Sequence, residues 1–298
     1  MPLCKICQSA TIEVGAKDGR ACKECFILYR CPNCHYAFVG NPLRDHAKIY
    51  TEEYYRGRGY DPLAYFMFDL ENPENTIHYY EWAGIQAVIE SLFPKVLDSS
   101  VRWLDFGAGA GGLVRFIRST CGCDIIGYDK GWIVDKANEH GIAITRDQGL
   151  IKSGEKFDII TAIEVLEHLE DPISVLNEIR SLLKPGGLFF YTTGNSYIHR
   201  KSLLNWSYFI PEIHISLYEP LTMKIALEKT GFHPQFYRGV PAGWYNIIRY
   251  KILKNFHVSR RNTIEKLLPW GVICRLANIV YQVSAHPVGW AVGRKDDV

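Results

Sequence analysis

The sequence predicts an α/β fold, a mostly parallel sheet covered by helices on both faces, preceded by a small metal-binding module. Three observations lead there. Beyond Val101 short apolar runs alternate with helical stretches, and a glycine-rich loop, Gly107 to Gly112, closes the first of those runs. Six of the nine cysteines lie within the first 34 residues, as three C-x-x-C pairs.

Composition sets the outer limits. With 298 residues, 47% of them hydrophobic and 22% charged, the chain is long enough for a sizeable core and too apolar for disorder. A formal net charge of +2 supplies no global field for nucleic acid or an acidic membrane. No apolar run reaches the roughly 18 residues of a membrane span. The opening MPLCKICQSA has neither a charged n-region nor an apolar h-region, so a reducing cytoplasmic setting is expected. In that setting paired cysteines read as metal ligands rather than disulfides.

Residues 1–45 form the expected metal module. A C-x-x-C turn puts two thiolates on one side of a bend, and two such turns close a tetrahedral Zn²⁺ site. Of Cys4/Cys7, Cys22/Cys25 and Cys31/Cys34, one pair is surplus to a single zinc. Cys4, Cys7, Cys31 and Cys34 are favoured, because Pro32 gives the last pair the form of a zinc knuckle and Ile12 to Tyr29 has room for a hairpin. Cys22 and Cys25 could replace either pair, or a second metal could recruit His35 or His46. Four thiolates leave no open position, so the zinc is expected to be structural, supplying stability that so short a module lacks.

Residues 46–95 are an aromatic connector and a helix. Tyr54, Tyr55 and their neighbours from Tyr50 to Phe66 read as a packing surface, with a substrate wall as the other use. From Thr76 to Phe93 apolar positions recur at helical spacing until Pro94 stops them.

Residues 96–298 carry the alternating pattern. Strands are expected at 101–106, 124–128, 141–145, 157–163 and 188–192, with helices such as 112–120 and 172–183 between them. Two further strands are expected at 232–240 and 288–294. The stretch near 243–285, including a basic apolar helix at 246–256, reads as a helical insertion over the sheet or the substrate entrance. Ligands of such sheets bind at the carboxyl ends of the strands.

There the run Leu104-Asp-Phe-Gly-Ala-Gly-Ala-Gly-Gly112 turns into a helix, whose free N–H groups and bare glycine backbone admit a ligand closely. Asp129 ends the next strand, placed to accept hydrogen bonds from both hydroxyls of a ribose. A nucleoside-bearing cofactor follows. Gly107, Gly109 and Gly112 also satisfy the dinucleotide fingerprint, which leaves NAD open. Charge at Asp105 helps to decide: its carboxylate would repel a pyrophosphate but would suit a ligand carrying an ammonium and a sulfonium, which favours S-adenosylmethionine over NAD.

Together with Gly127-Tyr-Asp129, Phe157 to Leu169 and Leu183-Lys-Pro-Gly-Gly-Leu188, this loop resembles the class I S-adenosylmethionine-dependent methyltransferases, over about 78–240 and 286–295. The resemblance implies a Rossmann-like sheet of seven strands whose last strand runs antiparallel beside the fifth. It implies that the stretch Gly107 to Gly111, with Gly107, Ala108, Gly109 and Gly111, holds the methionine part of the cofactor, beside the Asp105 already singled out by charge, that Asp129 holds the ribose and Arg146, Asp147 and Gln148 lie near the adenine, and that Glu164 belongs to the same pocket. Bacterial sugar, polysaccharide and natural-product methyltransferases of this kind are similar in having paired cysteines that match Cys4/Cys7 and Cys31/Cys34, then a Tyr-Tyr connector. Cys22 and Cys25 depart from that pattern, and the further C-terminal domain of the sugar C-methyltransferases is absent from the match.

The chemistry asks for a base near the methyl group. His168, in Glu164-Val-Leu-Glu-His-Leu169, is one candidate, with packing of the following helix as the other reading. His214, after the fifth strand, is the second, as base or substrate ligand. Glu167 could support a metal only if other ligands join it, and nothing in the motif requires one. Tyr54, Tyr55 and Trp206 are candidate substrate walls. The leading expectation is a methyltransferase acting on a small molecule or carbohydrate. An rRNA or tRNA methyltransferase with a zinc module, a zinc-ribbon adaptor on a non-catalytic fold, and an oxidoreductase stand behind it.

Overall fold

The computed structural model describes residues 1–61, 64–238, 260–267 and 289–295. The N-terminal module is a small antiparallel sheet of β1 (Ile12–Asp18), β2 (Cys25–Arg30) and β3 (Ala37–Val39). Short helices α1 (His46–Ile49), α2 (Glu52–Tyr55) and α3 (Phe66–Glu71) then lead to α4 (His78–Leu92). The main body runs β4 (Arg102–Phe106), α5 (Gly112–Thr120), β5 (Asp124–Tyr128), α6 (Ile133–Glu139), β6 (Ile144–Thr145), α7 (Gln148–Ser153), β7 (Phe157–Ile163), α8 (Pro172–Leu182) and β8 (Leu183–Thr192). It continues with β9 (Ser216–Leu217), α9 (Pro220–Lys229) and β10 (Phe232–Arg238), then α10 (Thr263–Leu267) and β11 (Gly289–Lys295).

The large sheet has the order β10-β11-β8-β7-β4-β5-β6. β4 pairs in parallel with β5 and β7, while β11 lies antiparallel between β8 and β10. This is the Rossmann-like sheet with a reversed last strand. Period-2 alternation distributes the side chains to two cores. Trp103, Ile125, Ile159 and Phe190 face α4, α5 and α6, and their chain neighbours Leu104, Ile160 and Phe189 face α8 and α9.

Boundaries differ from the sequence reading where glycine intervenes. The strand expected at 141–145 is only Ile144–Thr145, because Gly141 ends the preceding helix at φ 73°. β8 starts earlier than expected, at Leu183, and takes the Lys-Pro-Gly-Gly turn in as an irregularity of its pairing with β7. The helical insertion expected near 243–285 lies outside the described residues except for 260–267, and the helix expected at 246–256 lies wholly outside them. In the described part, the Arg261 backbone N–H donates to the Asn75 carbonyl at 2.6 Å and its guanidinium sits 4.2 Å from the Tyr79 ring centroid, beside the start of α4.

The module is completed by the main body. β9 adds to β3 as the fourth strand of the small sheet. Buried Glu219 at the start of α9 accepts from Arg30 at 2.6 Å and pairs with His35 at 3.1 Å. The Thr222 hydroxyl donates to the Cys34 carbonyl at 2.7 Å. Cys4, Cys31 and Cys34 therefore share a core with Leu176, Met223 and Leu227 rather than standing apart.

Candidate active site

A cavity of about 1220 Å³ opens at the carboxyl ends of β4, β5 and β7. Its floor is the loop after β4. Gly107 adopts φ 79°, and a Cβ there would come within 2.4 Å of Val165, so both the backbone form and the close approach demand glycine. Gly111 serves a different need. It does not line the cavity; a Cβ on it would meet Ile142 and Ile144 at 2.6 Å.

Asp129, at the end of β5, is tied to this loop. Its carboxylate accepts from the Gly109 N–H at 2.8 Å and from the Gly131 N–H at 2.7 Å. Burial raises its pKa, and those N–H groups work in the opposite direction. Each carboxylate oxygen keeps further acceptor capacity toward the cavity. Asp105, 4% exposed at the end of β4, is pushed up to about 7, chiefly by burial, with the Thr161 hydroxyl donating to it at 2.8 Å. Ala108 and Gln148 also line the cavity. Asp147 does not; its carboxylate accepts from the Gly149 N–H at 2.8 Å.

The far end of the cavity collects acids and imidazoles. Glu164 sits at φ 52°, unusual for a non-glycine residue and a sign of local strain. Burial, then repulsion from Glu167, raises it to about 8. Glu167 is 1% exposed and is raised by burial; its carboxylate accepts from the Thr193 hydroxyl at 2.8 Å. The Tyr208 hydroxyl donates to both carboxylates, at 2.7 Å to Glu164. His168 Nδ1 lies 2.9 Å from the Ile213 carbonyl, and His214 Nδ1 is hydrogen-bonded to the Tyr208 carbonyl. A carbonyl accepts only, so each Nδ1 carries the proton and Nε2 is left as the basic nitrogen. Burial lowers both imidazoles, His214 to about 3 with a further push from His168. The two rings lie 5.1 Å apart, and His214 stacks on Tyr208.

Sequence reasoning missed a third corner. His78, at the start of α4, lies 2.7 Å from Asp69, which also accepts from the Thr76 hydroxyl. Burial works against the imidazolium, but the Asp69 carboxylate outweighs it and raises His78 to about 9. Glu81 and Trp82 line the same corner. One histidine at a helix start carries no signal in the sequence, because its partner sits on another element. Of the candidate walls, Tyr54 and Tyr55 are buried and line the cavity, so packing and lining coincide in them. Trp206 does not line it; the ring stacks between His199 and Tyr208.

The cysteine centre lies apart from this cavity. Cys4 and Cys34 Sγ are 3.4 Å apart, Cys7 and Cys31 Sγ 3.5 Å, and all four lie within 4.8 Å of one another. A tetrahedron of thiolates at the usual Zn–S length has edges of about 3.8 Å, so the donor set and its spacing fit zinc. Cys22 and Cys25 fall outside the cluster; Cys22 Sγ instead contacts Glu212 at 3.8 Å, and Cys25 is exposed.

A family model described as a methyltransferase domain matches residues 77–235. The ubiquinone biosynthesis O-methyltransferase of Cereibacter sphaeroides is 39% identical over 104 residues, 32% of this chain and 42% of that protein. The protein of the same name from Aliivibrio fischeri is 30% identical over 152 residues, 47% and 62% respectively. The chain thus spans about half the length of these curated relatives. A solved S-adenosylmethionine-dependent methyltransferase from Archaeoglobus fulgidus is similar at 18% identity and a TM-score of 0.47, over 78% of this chain and 99% of that one. With the family model covering more than half of its length, and with the sheet, glycine loop and Asp129 in place, the chain belongs to the class I S-adenosylmethionine-dependent methyltransferases.

Proposed function

We propose that the chain transfers a methyl group from S-adenosylmethionine to a hydroxyl of a small-molecule or carbohydrate acceptor. The observation that carries this reading is the juxtaposition, in one cavity, of a glycine loop tied to Asp129 and a cluster of basic imidazole nitrogens and carboxylates. When bound, the cofactor supplies an electrophilic methyl carbon on a sulfonium.

The residues of the chain divide the remaining work. Gly107, Ala108 and Gly109 cradle the cofactor beside Asp105, whose carboxylate suits its positive groups. Asp129 takes the ribose hydroxyls and Gln148 borders the adenine. Gly111 supports the loop from behind, and Asp147 holds the turn that presents Gln148. Glu164, next to the Val165 that packs on Gly107, stands between the cofactor and the acceptor. At the acceptor end, His168 is the residue to take up a proton, while His214, whose buried imidazole is lowered to about 3, is placed to hold the acceptor hydroxyl as a neutral hydrogen-bond acceptor. With the cofactor bound, this cluster would take up the proton of the acceptor hydroxyl, whose oxygen would then be free to attack the methyl carbon the sulfonium supplies, the carbon–sulfur electron pair leaving with sulfur.

Acceptor oxygen and size are inferred from the O-methyltransferases among the curated relatives and from the room left in the cavity. On this reading residues 1–45 form a structural zinc module held by Cys4, Cys7, Cys31 and Cys34, 46–95 cover the cavity, and 96–298 form the catalytic domain. Among the described residues no helix is long and apolar enough to cross a membrane. Calorimetric titration tests the reading: S-adenosylhomocysteine binds and NAD does not. Tight NAD binding without S-adenosylhomocysteine binding overturns it.

A further inference from the structure

We propose that the N-terminal module is part of the acceptor site: Tyr36, acting through Ser216, and Lys17, acting through the backbone on either side of Tyr208, are positioning residues that set where His168 and His214 stand. What the imidazoles do rests on the methyl-transfer reading; where they stand does not.

The first connection starts beside the cysteine centre. Tyr36, two residues after Cys34 and fully buried, brings its hydroxyl to 2.6 Å from that of Ser216. The Ser216 hydroxyl in turn lies 2.7 Å from the Leu169 carbonyl. A carbonyl only accepts, so the one Ser216 proton goes to Leu169, and Tyr36 donates to Ser216. Leu169 follows His168 and Ser216 stands two residues after His214, so this buried relay fixes the backbone beside both imidazoles. The strand β3 holds the same stretch from its edge. The Val39 N–H donates to the Ile215 carbonyl at 2.9 Å, and Phe38 lies opposite Ser216 in the pairing of β3 with β9. Packing alone would need only the Tyr36 ring, which stacks on Phe38; the hydroxyl adds the link to the acceptor end.

The second connection comes from the hairpin of β1 and β2. Lys17 Nζ donates to the Phe209 carbonyl at 2.7 Å and to the Trp206 carbonyl at 3.3 Å, and it lies 5.0 Å from the Phe209 ring centroid. Those carbonyls flank Ser207 and Tyr208. Tyr208 in turn holds His214 by its carbonyl, and Glu164 and Glu167 by its hydroxyl. Further along, the Ala21 N–H donates to buried Glu212 at 2.8 Å. Residues 206–215 form neither helix nor strand, only turns, so they have few backbone bonds of their own to keep side chains in place. The module supplies the missing restraint, as the supporting shell of a site built on a loop must. The sequence separates these partners by more than 170 residues, and only the fold joins them.

Nuclear magnetic resonance of the zinc-replete chain carrying ¹⁵N-histidine, at neutral pH, reads both imidazoles without an acceptor. Each ring anchored on a carbonyl is expected as a single tautomer protonated at Nδ1, and His168→Gln and His214→Gln assign the two signals. Tyr36→Phe and Ser216→Ala are expected to turn both signals into tautomer mixtures, and Lys17→Met that of His214 alone, with zinc content and S-adenosylhomocysteine affinity unchanged. Lys17→Met serves if the buried variants do not fold. Ile179→Val lowers stability under α8 without removing any of these hydrogen bonds, and both signals are expected to stay as they are. A tautomer mixture in the unsubstituted chain, unchanged signals in the folded variants, or an equal change in Ile179→Val overturns the proposal. Failure of the unsubstituted chain to bind S-adenosylhomocysteine overturns the methyl-transfer reading alone.

Discussion

The backbone N–H of Gly109 donates to the Asp129 carboxylate at 2.8 Å, which joins the loop after β4 to the end of β5 before any ligand arrives. Asp129→Ala removes that tie and the acceptor pair proposed for the ribose. Two hydrogen bonds to a charged group are together worth about 3 kcal/mol or more. Affinity for S-adenosylhomocysteine is therefore expected to fall about 100-fold or more in calorimetry, and unchanged affinity would remove Asp129 from the cofactor site.

Gly112 begins α5 directly beneath an indole. A Cβ there would lie 2.0 Å from the Trp82 ring, which is buried against the same core. Overpacking of this kind costs about 1–3 kcal/mol. Gly112→Ala is expected to lower the melting temperature by several degrees, and combining it with Trp82→Leu to recover less than the sum of the two losses. Strict additivity would show that the two positions are not in contact.

The His78–Asp69 pair predicts a pH dependence. Its folded-state pKa is raised to about 9, above an unfolded value of about 6.5. A raised imidazole contributes its full stability below the unfolded pKa, and that contribution disappears as pH rises through the folded one. Thermal unfolding scans from pH 6 to 10 should show a loss across this window that His78→Gln lacks. Parallel curves for the two proteins would mean that the imidazolium does not stabilise the fold.

Metal analysis separates the three cysteine pairs. Cys22→Ser and Cys25→Ser are expected to retain one zinc per chain at the thiolate centre, since neither sulfur reaches the cluster. Cys31→Ser is expected to lose that zinc and to melt earlier, because Cys4, Cys31 and Cys34 share a core with side chains of α8 and α9. Zinc retained in Cys31→Ser but lost in Cys22→Ser would reverse the ligand assignment.

Much of the cavity beside the glycine loop was legible in the sequence, because it depends on what local chain can do. Asp105, Gly107, Ala108, Gly109, Asp129, Gln148 and Glu164 all line the cavity. Strand ends and glycine turns are short-range features, so a residue placed just after a strand falls at the ligand edge of the sheet. Gly111 and Asp147 show the limit of that reasoning. They belong to the same local motifs but turn away, one to pack against β6 and one to cap its own turn.

By itself, then, the sequence determined the α/β alternation, the glycine loop, Asp129 and the favoured set of four cysteines, each through periodicity or spacing within a few tens of residues. Tertiary structure alone decided what distant segments share. It brought His214 to Glu167 and His168, set Asp69 beside His78, closed the small sheet with β9, and kept Cys22 and Cys25 out of the thiolate cluster. The reason is physical: hydrogen-bonding pattern and glycine conformation are properties of neighbouring residues, whereas convergence of side chains across a sheet depends on how every intervening element packs.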